Sequence, residues 1–409
     1  MLDFLILVLV RVFAQATVYA VAPALPFFVL RESRDVLEYI ALDAASRLKF
    51  FENTSHFIYS FTWLLTSAVP QLPALDVTKV LILLVDIASA ALWYNTTRLL
   101  SNSGLEKNKH ASSPLFIAAL HLLNPFSIMY NEGCNADSVR YFWVSLATFA
   151  AVNINVERGA GIKPYVIYQL AASGFLINGV FKMYAVLPAL TMVAVHNRLQ
   201  QSNEPSITWK ELKQMFAVIC PHIFLTLSIV ILYYTARGES VVKRALELEY
   251  TGRGTGIDYS LYWYLHRVLP AAFEATNTFK SQMMIFVLPF PLLVLLRKRP
   301  MECLITTFVI AILQHPNLSL LGLWYIVCLC ALHYPMMDKT IGFTKMMMVA
   351  IGAMCFSVTA YVTWVGRYIA NPNYFFAPQL LIFATICILL EDYTKATFQL
   401  SNSTSQVHN

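Results

Sequence analysis

The sequence predicts an all-α, polytopic membrane protein of about twelve transmembrane helices, and three observations predict it. Of its 409 residues, 58% are hydrophobic and 13% charged, against about a quarter charged in a soluble domain. Mean hydropathy is +0.59. Apolar runs of about twenty residues recur along the chain, and a helix of that length crosses a bilayer with its backbone groups satisfied internally. The net charge of +6 is modest and the cations gather where the runs end, so nothing calls for a nucleic-acid partner. Most of the seven cysteines lie inside apolar runs (Cys328, Cys330, Cys355, Cys387) and read as buried thiols, not as a disulfide framework. No cleavable leader is visible, because the first run lacks a basic n-region and continues past Arg11.

In chain order, the first span covers 2–30, with Pro23 and Pro26 loosening its exit. Residues 31–56 are amphipathic and mixed in charge, setting Arg31, Arg34, Arg47 and Lys49 against Glu32, Asp35, Glu38, Asp43 and Glu52. The run 57–69 is short for a crossing and reads as re-entrant or interfacial. A full span follows at 77–97. Further apolar runs lie near 114–130, 138–155, 164–178, 180–196, 213–235, 279–296, 302–314, 317–334, 343–363 and 374–391. The whole of 1–409 reads as one integral membrane domain.

Basic residues orient it. The short connections 98–113, 156–163 and 297–299 are rich in Lys and Arg and are expected in the cytosol. The connections 31–56, 237–260 and 365–373 then face a lumen, and the tail from about 392 to 409 returns to the cytosol. Of the glycosylation sequons at Asn53, Asn95, Asn317 and Asn402, only Asn53 is then luminal and clear of a span, which makes it the glycosylation candidate.

Polar residues at lipid depth are costly and have either a partner or a task. Asp86 interrupts one apolar run and Lys182 another; each is expected to pair internally, the other reading being the floor of a luminal cavity. Asn124-Pro125 ends or kinks the run 114–130. Loop 250–264, with Gly252, Gly254 and Gly256 before an aromatic cluster, suits a flexible luminal loop leading into an interfacial helix. Its glycine spacing fits no nucleotide fingerprint. No metal-ligand spacing, cofactor motif or self-contained catalytic set is present in the sequence.

The stretch from Trp364 to Phe376 is the strongest candidate site. Gly366 and Pro372 break helix around Asn371 and Asn373, and Tyr374, Phe375 and Phe376 follow. Such a turn is either a plain connection whose Asn side chains cap backbone groups, or a polar grip on a lipid headgroup with the rings beneath it. In an extended segment the two-residue spacing would point both carboxamides the same way.

Assembled, these motifs resemble the multi-span proteins of glycosylphosphatidylinositol (GPI) anchor biosynthesis. Ala370-Asn371-Pro372-Asn373-Tyr374-Phe375 resembles the Ala-Asn-x-Asn-aromatic-aromatic signature of the PIG-U family, Glu391-Asp392-Tyr393 its closing acidic-Tyr pair, and Leu261-Tyr262-Trp263-Tyr264 its Leu-aromatic-Trp-Tyr step. Arg299-Pro300 and Pro316 fall at similar spacing, whereas that family's first luminal loop elements are absent between Arg31 and Trp63. The PIG-M family of mannosyltransferases is similar too, through Asn135-Ala136-Asp137-Ser138, Lys182-Met183-Tyr184 and Leu323-Trp324-Tyr325. Where PIG-M carries an Asp-x-Asp to activate a sugar hydroxyl, this chain reads Asp35-Val36-Leu37-Glu38, so Asp35 and Glu38 are its catalytic candidates only on the enzyme reading. The PIG-U resemblance implies a GT-C-like bundle with luminal loops, in the endoplasmic reticulum membrane. It implies a non-catalytic subunit of GPI transamidase that partners the other subunits, including the cysteine-protease-like catalytic one. It also implies binding of the GPI lipid, at Asn371, Asn373, Tyr374, Phe375, Tyr262 and Trp263. The alternative is a mannosyltransferase using dolichol-phosphate-mannose.

Overall fold

The computed structural model describes residues 2–21, 74–102, 112–132, 137–156, 162–177, 185–199, 209–237, 259–261, 264, 287–315, 318–333, 342–367, 369 and 371–406. Among these every regular element is helical. In chain order they are α1 (Leu2–Val21), α2 (Ala74–Asn102), α3 (Pro114–Leu122), α4 (Pro125–Glu132), α5 (Asp137–Val156), α6 (Ile162–Ile177) and α7 (Leu187–Leu199). There follow α8 (Trp209–Arg237), α9 (Pro289–Leu295), α10 (Pro300–Leu313), α11 (Leu320–Ala331), α12 (Phe343–Tyr361) and α13 (Pro372–Gln406).

The boundaries follow from backbone chemistry. Between α3 and α4 the expected break falls at Asn124-Pro125. The Leu123 N–H still closes on Ala119 O (2.9 Å), and then the Asn124 carboxamide oxygen accepts the Phe126 N–H at 2.9 Å. Pro125, lacking an N–H, stands at the first helical position, where none is needed. At the start of α11 the Ser319 hydroxyl accepts the Gly322 N–H (3.2 Å), a side-chain cap on one of the orphan donors of the first turn.

Among the described residues, four helical segments are long and apolar enough to cross a membrane: Leu2–Tyr19, Val77–Ser101, Phe343–Trp364 and Pro372–Phe398. Shorter apolar helices occupy Leu187–His196, Leu212–Ser228, Pro300–Leu313 and Leu320–Ala331. The described helices do not by themselves confirm the expected count of about twelve. The 12-residue α11 rises about 18 Å, against about 30 Å of hydrocarbon. Among the described residues, α10 and α11 lie deep inside the bundle. Nearly every residue of α10 and α11 is inside, including Phe308, Ile312, Tyr325 and Ile326. A helix apolar on all sides belongs in an interior. The chain also stays helical to Gln406, through most of the stretch expected as a tail.

Contacts between distant segments sort the helix ends into two sets. The Tyr259 N–H donates to Leu318 O (2.8 Å), just before α11, and its ring meets Phe375 at 5.4 Å, just inside α13. The end of connection 237–260, the start of α11 and the turn before α13 thus share one end of the bundle. At the other end the Ser112 N–H donates to Leu332 O (3.0 Å), and the Tyr393 hydroxyl bonds His333 Nδ1 (2.9 Å). These contacts bring together connection 98–113, the exit of α11 and the far part of α13. Helices α1 and α2 run antiparallel: Phe4 meets Tyr94 (5.4 Å), Arg11 meets Asp86, and the Lys79 ammonium lies over the Tyr19 ring (4.6 Å).

Candidate functional site

The turn between α12 and α13 is built from a widened helix end. Residues Val362–Gly366 form a π turn, with the Arg367 N–H donating to Val362 O (3.0 Å) and the Ile369 N–H to Thr363 O (3.2 Å). The chain then enters α13 at once. Asn371 is the residue before it, and its carboxamide oxygen accepts the Tyr374 N–H at 3.2 Å. Pro372 opens the helix, so Asn373 is already in its first turn. The extended arrangement expected of Asn371 and Asn373 is thereby corrected: one side chain caps a helix and the other projects from it. Physically, Pro372 acts as a helix starter with a preset φ and no N–H to leave unpaired.

Both Asn residues are exposed, and the oxygen of each is engaged. The Asn373 oxygen accepts the Tyr264 hydroxyl at 2.6 Å, and the Tyr264 ring stacks on Phe376 at 3.8 Å and 9°. Tyr264 fixes one carboxamide and covers the helix start with the same ring. Phe375, by contrast, is fully buried. It meets Tyr259 and Tyr361 (5.4 Å each) and Trp364 (6.1 Å), an aromatic packing that pins the turn to the bundle. Its role here is that of an anchor, while Tyr374, 42% exposed and edge-on to Phe356 at 5.5 Å, is the ring that faces outward. Burial pushes the Tyr259 phenol above its usual range, so it stays neutral.

Asp86 has the partner that its depth demanded. Arg11 of α1 donates through Nη2 to Asp86 Oδ2 (3.0 Å) and to the Ser127 hydroxyl (3.1 Å), and Ser127 donates to the same carboxylate oxygen. Arg11 and Asp86 are both buried. Of the residues behind the mannosyltransferase resemblance, Asp137, Trp324 and Tyr325 are among those described, and each has a partner within the bundle. Asp137 pairs with Arg140 at 2.6 Å, Trp324 Nε1 donates to Leu120 O (3.1 Å), and Tyr325 stacks on Tyr141 (4.5 Å) beneath Trp93. Tyr393 closes on His333, as a buried anchor.

Asp35, Glu38, Asn53, Lys182, Tyr262 and Trp263 lie outside the described residues. Among those described, no three His, Cys, Asp or Glu side chains gather as a metal site. Sequence reasoning missed Tyr264, Tyr361 and Trp364 as scaffold and Arg11 as the partner of Asp86. Only Arg11 carried a signal, being a charge in the middle of its own apolar run. A family model described as the GPI transamidase subunit PIG-U matches residues 47–382. Among curated proteins, none matches the chain.

Proposed function

The chain belongs to the PIG-U family of GPI transamidase subunits, and from that premise we propose that it binds the GPI lipid for the complex without catalysing a reaction itself. Membership makes it one part of a multi-subunit assembly that attaches GPI anchors to proteins. In our reading it is one multi-pass, GT-C-like domain of the endoplasmic reticulum membrane, with 31–56, 237–260 and 365–373 in the lumen beside the cysteine-protease-like catalytic subunit. The family match does not favour a mannosyltransferase.

One observation carries the lipid reading. Asn371 and Asn373 stand exposed at the head of an apolar helix, each with its oxygen held inside the fold. What is offered to a ligand is the two amide NH2 groups, each with two N–H donors, which suit the phosphate and hydroxyl oxygens of a glycolipid headgroup. Exposed Tyr374 supplies an apolar flank at the same level.

The test is Asn371→Asp with Asn373→Asp. Asp caps a helix as well as Asn does and still accepts the Tyr264 hydroxyl, so the fold is spared. The donors are gone and negative charge replaces them. Co-purified GPI lipid should fall by about tenfold to a few hundredfold while partner subunits are recovered normally. Unchanged lipid recovery would reduce the turn to a capped connection.

A further inference from the structure

Helix α1 is bound to the molecule in an unusual way. Its sequence is apolar enough to cross a membrane, yet its large apolar residues point outward: Leu2, Leu5, Leu9 and Phe13 are each more than half exposed. Among its described side chains, the buried ones are Arg11 and Gln15. Arg11 meets Asp86 of α2 and Ser127 of α4, and one helical turn later Gln15 Nε2 donates to Ile128 O at 3.3 Å. The α1–α4 contact thus carries a polar seam, and interhelical hydrogen bonds of this kind help hold helices together within a membrane.

Asn131 extends that seam. It follows Ser127 by four residues on α4 and so shares its face. It is 1% exposed, and neither its Nδ2 nor its Oδ1 meets a hydrogen-bond partner among the described residues. On α3, which carries the ring of His121 against Tyr325, His121 Nε2 is likewise without one. A buried carboxamide left dry loses its hydration at both ends, one of the more expensive arrangements available inside lipid. An acceptor and a donor on one side chain are both answered by a hydroxylic ligand, and a buried water typically takes two to four such bonds. Asn131 is also the last residue but one of α4.

We propose that the seam between α1 and α4 is an intramembrane water site, with ordered water held by the Asn131 carboxamide beside the Arg11–Asp86–Ser127 cluster. The site is separate from the headgroup turn and does not rest on the lipid-binding reading. Water there completes the hydrogen bonding of the Asn131 carboxamide.

The assay uses the full complex in phosphatidylcholine nanodiscs and a small cationic methanethiosulfonate, which reacts with thiolates and hence with hydrated cysteines. Labelling is read as the increment over the parent chain. Asn131→Cys should react at least about tenfold faster than Phe13→Cys, whose side chain faces lipid. In parallel, Asn131→Leu should lower the unfolding temperature by a few degrees, about the scale of one lost buried hydrogen-bonding group. Asn131→Ser, which keeps a donor and an acceptor, should stay nearer the parent. An Asn131→Cys chain that does not react, or an Asn131→Leu chain as stable as the parent or more so, would show a dry seam and overturn the proposal. Protection of the introduced thiol on adding phosphatidylinositol would overturn it too, because the occupant would then be a lipid hydroxyl.

Discussion

Gly174 shows how tightly single residues are specified. It lies in α6 against the indole of Trp143, and a Cβ added there would overlap the ring itself. No φ constraint is involved; the need is for a missing side chain where α5 and α6 approach. Gly322 plays the same part under the Tyr141 hydroxyl, in the ring cluster of Tyr141 and Tyr325. Gly174→Ala should therefore destabilise the protein by about 1–3 kcal/mol, the usual cost of overpacking, although Ala favours helix over Gly. Adding Trp143→Leu should recover part of that loss. Unfolding of the two single variants and the double variant in detergent measures the coupling, and additive effects would show that the clash relaxes elsewhere.

At the scale of helices, the ion pair between α1 and α2 joins residues 75 apart in sequence. Breaking a buried pair from one side leaves a charge uncompensated, typically at about 3–5 kcal/mol. Arg11→Asp and Asp86→Arg should each impair assembly strongly, and the double exchange should restore a large part of it. Equal losses in all three would mean that the pair is incidental. That Asp86 needed a partner was legible, because a carboxylate in an apolar run is expensive whatever the fold. Which cation answered it was not, since pairing across 75 residues depends on how the helices assemble. The break at Asn124-Pro125 was legible for a local reason, the missing proline N–H. The same chemistry misled at Pro372, which was read as a breaker when it starts a helix. A proline disrupts the helix before it and suits the first position of the helix after it, and only the direction of the chain decides.

For the molecule as a whole, apolar composition was enough to announce a helical membrane protein, but not how much of each run is helix. Runs such as 302–314 are apolar because they are interior, and being apolar does not make them long. The two sets of helix ends carry the topology further than length can. The turn before α13 and Tyr259 lie together, while Ser112, Leu332, His333 and Tyr393 mark the opposite end. The basic-residue reading expects 237–260 and 365–373 to face one compartment and 98–113 the other. Because α1 and α2 are antiparallel, the end of α1 and the start of α2 lie at the same end of the bundle, while 57–69 lies outside the described residues. With the Asn371 end in the lumen, glycan is expected at Asn53 and not at Asn402, and Asn95 is unavailable, its amide donating to Ala91 O within α2 (2.8 Å). A sequon placed within 242–250 should then be glycosylated and one placed within 103–111 should not. Endoglycosidase digestion of the Asn53→Gln chain carrying each insertion reads the result directly. A glycan on the 103–111 insertion would invert the molecule and put the headgroup turn on the wrong side of the membrane for a luminal transamidase.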